Sequence, residues 1–456
     1  MTLLRRAFVA LAAALALAAC TTAPPAQDLP PIVFVHGNGD SAALWTTTLW
    51  RFESNGWPRD RLVALNLPYP TARDDDTQPQ EGRSSADQQM RTLAAEVARV
   101  LRETGAAKVV LFGNSRGGNA IRSYIQSGGG AATVSHAILG GTPNHGVWAN
   151  AGFRPNNEFN GAGPYLSGLN APKGDNGDEV TPGVAWMTIR SDNNDKFAQP
   201  DGVWIGAKGT PTNVTFEGPA LKGAHNVVLP GRDHREVSYQ YHAEAFAQAY
   251  RFVTGRAPAT PTITPEARVV LDGLVTSSGP GGPTNLPLVG ASVEVYATDP
   301  ASGERRGAPL AKTTVGADGR WGPLSTDATT PLEFVVSAPG YATHHVYRSP
   351  FARSSRIVHL RPERLADADR NAAAVVTFVR PRGYFGLPRD QIVFDSQNPA
   401  PGIPSGVAGV ASSKLTLSAA GRTVVGDYRS GIISERVVGR SWPAGENHLA
   451  TLELHY

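Results

Sequence analysis

The first half of the chain alternates unbroken apolar runs with stretches of helical periodicity. Ile32-Val33-Phe34-Val35, Val109-Val110-Leu111-Phe112 and Ala137-Ile138-Leu139 carry no polar interruption. Runs of this kind mark strands buried on both faces of a parallel sheet. Further strands are predicted at 62–65, 184–189 and 226–229. Met90, Leu93, Val97, Val100 and Leu101 recur at helical spacing. Ser85 followed three residues later by Gln88 reads as a capping box, and Gly105 as the stop. A shorter helical stretch covers 119–125 and a last one 241–253. Strands alternating with helices predict an α/β fold, a doubly wound and mostly parallel sheet.

After residue 255 the helical pattern ends. Residues 256–265, rich in Pro, Thr and Ala, have a linker's composition. Beyond them, short β runs at 269–274, 291–296, 332–336 and 356–360 are separated by Gly, Pro and Asp turns, and β-rich texture continues from 374 to 456. The expected organisation is an α/β unit over 31–255, a linker over 256–265, a β-sandwich over 266–362 and a second β-rich unit over 363–456.

Composition narrows the function classes. Of 456 residues, 49 are Gly and 36 are Pro, a turn-rich chain below the range that reads as disorder. The net charge is only +3, and no dense Lys/Arg run follows the first residues, so the clustered basic face of a nucleic-acid protein is absent. One cysteine, Cys20, excludes an internal disulfide and any multi-cysteine zinc site. Arg5 and Arg6 precede an apolar run over 7–19. That run is too short to span a bilayer and reads as a signal peptide over 1–19. Leu17-Ala18-Ala19-Cys20 resembles a bacterial lipobox. The resemblance implies cleavage before Cys20, a lipid attached there, and 20–30 as a tether to a membrane. Thr21 replaces the aspartate that retains such proteins at the inner membrane. The expected location is therefore the outer membrane or surface of a bacterial envelope, with extracellular release as the alternative.

The candidate chemistry centres on Gly113-Asn114-Ser115-Arg116-Gly117. This G-x-S-x-G pentapeptide lies between a predicted strand and a predicted helix, the context its use as a nucleophile elbow requires. A serine hydroxyl needs a base to take its proton. Of eleven histidines, five fall between Ser115 and the linker: His136, His145, His225, His234 and His242. Only His234 lies in the loop just after a late strand, where a general base belongs. The acid should follow the strand at 184–189, where Asp192, Asp195 and Asp201 cluster. The oxyanion needs two backbone N–H donors, expected from Arg116 and from Asn38 in the loop after the first strand. His36 is expected to be structural.

These residues together resemble the α/β-hydrolase bacterial lipases of class 2, especially the small lidless type. The resemblance runs from about residue 31 to 255. It includes Val35-His36-Gly37-Asn38-Gly39, Asn55-Gly56-Trp57-Pro58-Arg59-Asp60-Arg61-Leu62, the approach to the elbow at 103–109, and the stretch from Gly223 to His234. Asp195-Lys196-Phe197-Ala198-Gln199-Pro200 looks like the acid loop of the superfamily and favours Asp195, with Asp192 second. The resemblance implies Ser115 as nucleophile, Asp195 as acid, His234 as base, and Asn38 and Arg116 as oxyanion donors. It implies an ester hydrolase acting on acylglycerols or related apolar esters, with no cofactor and no metal. A monomer is expected, with no nucleic-acid partner. Asn114 and Arg116 depart from the family's usual His and Met; a charged Arg116 at the cleft is expected to alter leaving-group or acid preference. The long Gly-, Asn- and Pro-rich loop from 141 to 182 is expected to cover or shape the cleft.

In the tail, residues 271–275, 286–291, Asp318-Gly319-Arg320-Trp321 and Ala338-Pro339-Gly340-Tyr341 look like a carboxypeptidase-regulatory or prealbumin-like sandwich. A hydrolase followed by such a tail is similar to two-part long-chain lipases, in which the tail helps to meet lipid. Phe351, Tyr384 and Phe385 are the aromatic candidates for that contact. Two other readings compete: a depolymerase of polyhydroxyalkanoate-type polyesters, and a non-catalytic surface-binding protein on a hydrolase scaffold.

Overall fold

The computed structural model describes residues 29–456 apart from 192–194, 200, 211, 216, 240, 241 and 408. The signal peptide, Cys20 and the candidate Asp192 lie outside the described residues.

Six strands form the first sheet: β1 (Ile32–Val35), β2 (Leu62–Leu65), β3 (Val109–Asn114), β4 (Val134–Gly140), β5 (Ala185–Arg190) and β6 (His225–Val228). Their spatial order is β2-β1-β3-β4-β5-β6, and every neighbouring pair is parallel. This is the expected doubly wound α/β-hydrolase sheet. Helix α1 (Thr46–Ser54) follows β1. Helix α2 (Ala86–Thr104) begins at the Ser85–Gln88 capping box and ends at Gly105 in the left-handed conformation, as its signals predict. Helix α3 (Arg116–Ser127) follows β3 without a gap beyond Ser115. A five-residue helix α4 (His234–Ser238) and α5 (Ala243–Thr254) complete the unit. The two faces of the sheet carry separate apolar cores. Phe34, Trp45, Phe52, Phe112 and Phe246 fill one; Val33, Leu93, Val97, Leu111 and Ile121 fill the other.

The β-rich region is one continuous structure. Strands Ala311–Thr314, Ser292–Ala297, Leu332–Ser337, Thr343–Arg348, His448–Glu453, Ala374–Val379 and Ser412–Leu417 make a seven-stranded sheet in that order. The sheet crosses the expected 362/363 boundary, because Thr343–Arg348 pairs in parallel with His448–Glu453. Parallel pairing between segments a hundred residues apart leaves no local sequence signal. The run at 356–360 is not a strand; it is held by single bonds, with Val358 N–H donating to Asp272 O, Trp321 Nε1 donating to Val358 O, and an isolated bridge at Leu360.

The two halves share a buried boundary. Trp50 of α1 is 2% exposed and packs among Leu271, Trp321, Phe334 and Phe351 of the β region. Its indole N–H donates to the Ser354 carbonyl at 3.0 Å. The segment at 256–265 does not hang free. The Arg51 side chain donates to Pro261 O, Asn55 exchanges hydrogen bonds with Thr260, and the Thr264 N–H donates to the Ser54 hydroxyl. It is a strap along the end of α1.

Replacing Trp50 by alanine leaves a large cavity in a shared core. Trp50→Ala is expected to lower stability by about 3–5 kcal/mol, read as a reduced denaturation midpoint in urea.

Candidate active site

The nucleophile elbow forms because small residues permit it. A Cβ on Gly117 would lie 2.4 Å from Val35 O, and one on Gly113 would lie 2.7 Å from the Gly118 backbone. Neither distance accommodates a side chain, so glycine is required at both positions. Ser115 itself adopts φ +49°, ψ −118°, a strained conformation for a residue with a Cβ. The Ser115 N–H donates to Gly140 O at 2.9 Å, which ties the elbow to β4. The residue sits at the N-terminus of α3, where the first peptide N–H groups lack intrahelical partners.

Asp195 and His234 come from two other loops. Asp195 is 1% exposed and lies after β5. One of its oxygens accepts the Phe197 N–H at 2.7 Å. The other accepts the His234 backbone N–H at 2.9 Å and contacts His234 Nδ1. The backbone bond fixes His234 relative to Asp195 independently of the ring. Because Nδ1 faces Asp195, Nε2 is left for the cleft. Phe197 and Tyr384 flank the imidazole, with ring centroids 5.8 and 5.5 Å away and both tilted by more than 60°. Burial disfavours the charged imidazole, but the Asp195 carboxylate outweighs it and holds His234 above the usual histidine value. Burial likewise pushes Asp195 up, and His234 together with the Phe197 N–H brings it below the usual carboxylate range.

The other sequence candidates separate cleanly. Asp201 accepts the Val203 N–H at 3.2 Å, capping its own turn. His145 bonds Glu179, His136 contacts Ser135, and His225 stacks on Phe252. Burial lowers His242 to about 4. His36 is fully buried and neutral: its Nε2 accepts the Leu67 N–H at 3.1 Å while Nδ1 meets Gly37 O. Desolvation pushes it down to about 4.

Asn38 is exposed at the rim, and its side-chain oxygen accepts the Ala72 N–H at 2.7 Å. Neither the Asn38 nor the Arg116 backbone N–H is bonded to another described residue. The Arg116 side chain corrects the sequence expectation. It does not enter the cleft but turns inward, fully buried, against Glu158 at 2.5 Å, with further bonds to Pro70 O and Ser84. A buried guanidinium requires a partner of this kind, and Glu158 lies 42 residues away in the 141–182 loop. Arg116 therefore anchors that loop.

Ser115, Asp195, His234 and Asn38 line one cleft of about 480 Å³, within the range of small-molecule sites. Val147, Trp148, Phe159, Val214 and Leu221 are among its apolar lining residues, and Arg73, Arg83 and Arg154 among its charged ones. The 141–182 loop thus shapes the cleft. Tyr384 of the β region also lines it. Tyr384, Phe351 and Phe385 are the aromatic residues expected from the sequence to meet lipid. Instead Phe351 and Phe385 are core, 1% and 0% exposed, and Tyr384 faces His234. Among the described residues, no three His, Cys, Asp or Glu side chains gather as a metal site requires.

The comparisons bear on this cleft. Residues 29–158 match the model of the class 2 lipases, and residues 267–365 match that of the lipase C-terminal domain. The two matches together place a class 2 lipase model over the first part of the α/β unit and a lipase C-terminal model over the first part of the β region. Similar solved structures include Bacillus licheniformis lipase BlEst2 in its propeptide form, at 17% identity over 92% of this chain and 94% of that one, TM-score 0.36. Phospholipase PlaB from Legionella pneumophila matches at 12% identity over 93% of each chain, TM-score 0.36. Lipase B from Aspergillus fumigatus matches at 16% identity over 52% of this chain and 56% of that one, TM-score 0.35. The lipase family supports ester hydrolysis as the chemistry of the cleft.

The electrostatics predict two separate titrations. By NMR, the His234 imidazole is expected to titrate above the unperturbed value of about 6.5 and to fall in Asp195→Asn. His36 should remain neutral down to about 4. A His234 midpoint unmoved by Asp195→Asn contradicts the pairing.

Proposed function

We propose that this chain is a serine carboxylic-ester hydrolase cleaving apolar esters such as acylglycerols through an acyl-enzyme. One observation carries the reading: a strained serine at a helix N-terminus opens onto the same cleft as a histidine whose Nδ1 is held by a buried aspartate. Ser115 Oγ attacks the ester carbonyl carbon while His234 Nε2 takes its proton. The tetrahedral oxyanion is met by the backbone N–H groups of Asn38 and Arg116. Collapse breaks the bond to the alcohol, which leaves with the proton from His234. Water then attacks the acyl carbon while His234 takes its proton; the acyl–Oγ bond breaks, His234 returns the proton to Ser115 Oγ, and the acid departs. Asp195 orients the imidazole and stabilises its charged form. The apolar lining of Val147, Trp148, Phe159, Val214 and Leu221 suits an acyl chain. The lipobox-like Cys20 supports a protein lipid-anchored in a bacterial envelope, where such esters are at hand.

Hydrolysis of p-nitrophenyl esters from acetyl to palmitoyl tests the reading. Ser115→Ala is expected to lower kcat by about a millionfold and to abolish labelling by a fluorophosphonate. Equal labelling of Ser115→Ala and wild type sinks the mechanism and favours a binding role. Activity limited to short chains favours a polyester substrate.

A further inference from the structure

His234 begins a helix of five residues, α4, and the C-terminal β region holds that helix from outside. Asp233, at the N-cap, accepts the N–H groups of Arg235 and Glu236. Glu236 returns the bond to the Asp233 N–H. Both carboxylates are 0% exposed. Their remaining partners come from the loop at 380–390. The Tyr384 N–H donates to Asp233 at 2.8 Å. Arg380 and Arg389 donate to the two oxygens of Glu236 at 2.7 and 2.9 Å. The same arginines both donate to the Tyr384 carbonyl. Arg235 reaches back to Pro381 O at 2.5 Å. The Tyr384 backbone is thus clamped on both its polar groups, by the helix that carries the base and by the arginines that neutralise that helix's acids.

That clamp fixes where the ring goes. The Tyr384 side chain lies tilted against the His234 imidazole. Lys196 Nζ and the Arg235 guanidinium sit 5.1 and 5.7 Å from its ring centroid, within the range of a cation–π contact. The ring is 5% exposed and lines the cleft. In ester cleavage the base protonates the departing alcohol, so the alcohol oxygen must lie at His234 Nε2. A ring beside the imidazole is therefore placed near the alcohol; Phe197 from the Asp195 loop flanks the imidazole as well, and the apolar lining residues Val147, Trp148 and Phe159 belong to the 141–182 loop.

We propose that Tyr384, supplied by the C-terminal β region, is the residue that selects the alcohol portion of the ester, so that the β region completes the active site. The inference rests on the reading of Ser115 and His234 as nucleophile and base. Tyr384 is then a specificity-determining residue, and the loop at 380–390 positions both it and α4. The role is distinct from contact with a lipid surface, because the ring points into the cleft.

The test compares ethyl butyrate with 2-naphthyl butyrate, two esters with the same acyl group, in full-length protein. Tyr384→Leu is expected to raise the naphthyl-to-ethyl ratio of kcat/KM by about tenfold, the size of effect a pocket group of this kind exerts. The p-nitrophenyl series from acetyl to decanoyl should keep its chain-length profile. Tyr384→Phe keeps the ring and should keep the ratio. Tyr384→Trp enlarges the side chain and should lower it, which preserves the test if Tyr384→Leu does not fold. An unchanged ratio in Tyr384→Leu and Tyr384→Trp overturns the proposal, as does a ratio that moves only together with the acyl-length profile. Failure of the underlying reading is distinguishable: wild-type Ser115 would then resist the fluorophosphonate, whatever stands at 384.

Discussion

Two carboxylates buried three residues apart set the most demanding constraint on this molecule. Asp233 and Glu236 cap a helix too short to be stable alone, and the helix places His234. Burying a carboxylate without a charged partner is costly, and two side by side repel. Burial pushes Asp233 above the usual carboxylate range, with Glu236 adding to the effect. Arg380 and Arg389 offset that cost with bonds to both Glu236 oxygens. Both arginines belong to the β region. The position of His234 thus depends on a part of the chain that follows it by about 150 residues.

The same interlocking recurs around the cleft. Asp40, in the loop after β1, accepts bonds from Arg235 and from the Tyr239 hydroxyl at 2.7 Å each. The Gly37 N–H donates to that hydroxyl at 3.3 Å. The loop that carries Asn38 is therefore tied directly to the helix that carries His234. Arg116 ties the elbow to the 141–182 loop through Glu158. Arg382 reaches from the β region to Ala43 O at 2.6 Å and to the backbone of Leu454 and His455. Trp50 fills the apolar part of the same boundary. Polar clamps and one large indole make the lipase segment and the β region a single packed body, rather than an enzyme with an appendage on a tether.

The α/β half was legible where its signals are local. The apolar runs at 32–35 and 62–65 coincide with β1 and β2. The Ser85–Gln88 box and Gly105 bound α2 as the side-chain chemistry of its ends dictates. The elbow is a sequence pattern because its steric requirement falls on neighbours in the chain. The order of elements brings the loop after β5 beside His234, since in a doubly wound sheet the loops after successive strands emerge at one edge; within that loop, the choice of Asp195 over Asp192 rests on the family resemblance. Two features escape a local reading for a common reason. The Arg116 side chain and the boundary at 362/363 are both governed by partners distant in sequence: Glu158 for the one, the strand His448–Glu453 for the other.

The sequence alone therefore determined which backbone could form: a parallel sheet, a strained serine turn, a histidine and an aspartate on late loops, and a β-rich continuation. Those features arise from periodicity, capping and turn chemistry, which act over a few residues. Only the tertiary structure decided which charges neutralise one another and which side chain closes the cleft beside His234. Tyr384 reads in sequence as one of three aromatic candidates for lipid contact. It becomes part of the site because the cost of two buried carboxylates draws the loop at 380–390 onto the helix of His234, and that balance exists only once the chain is folded.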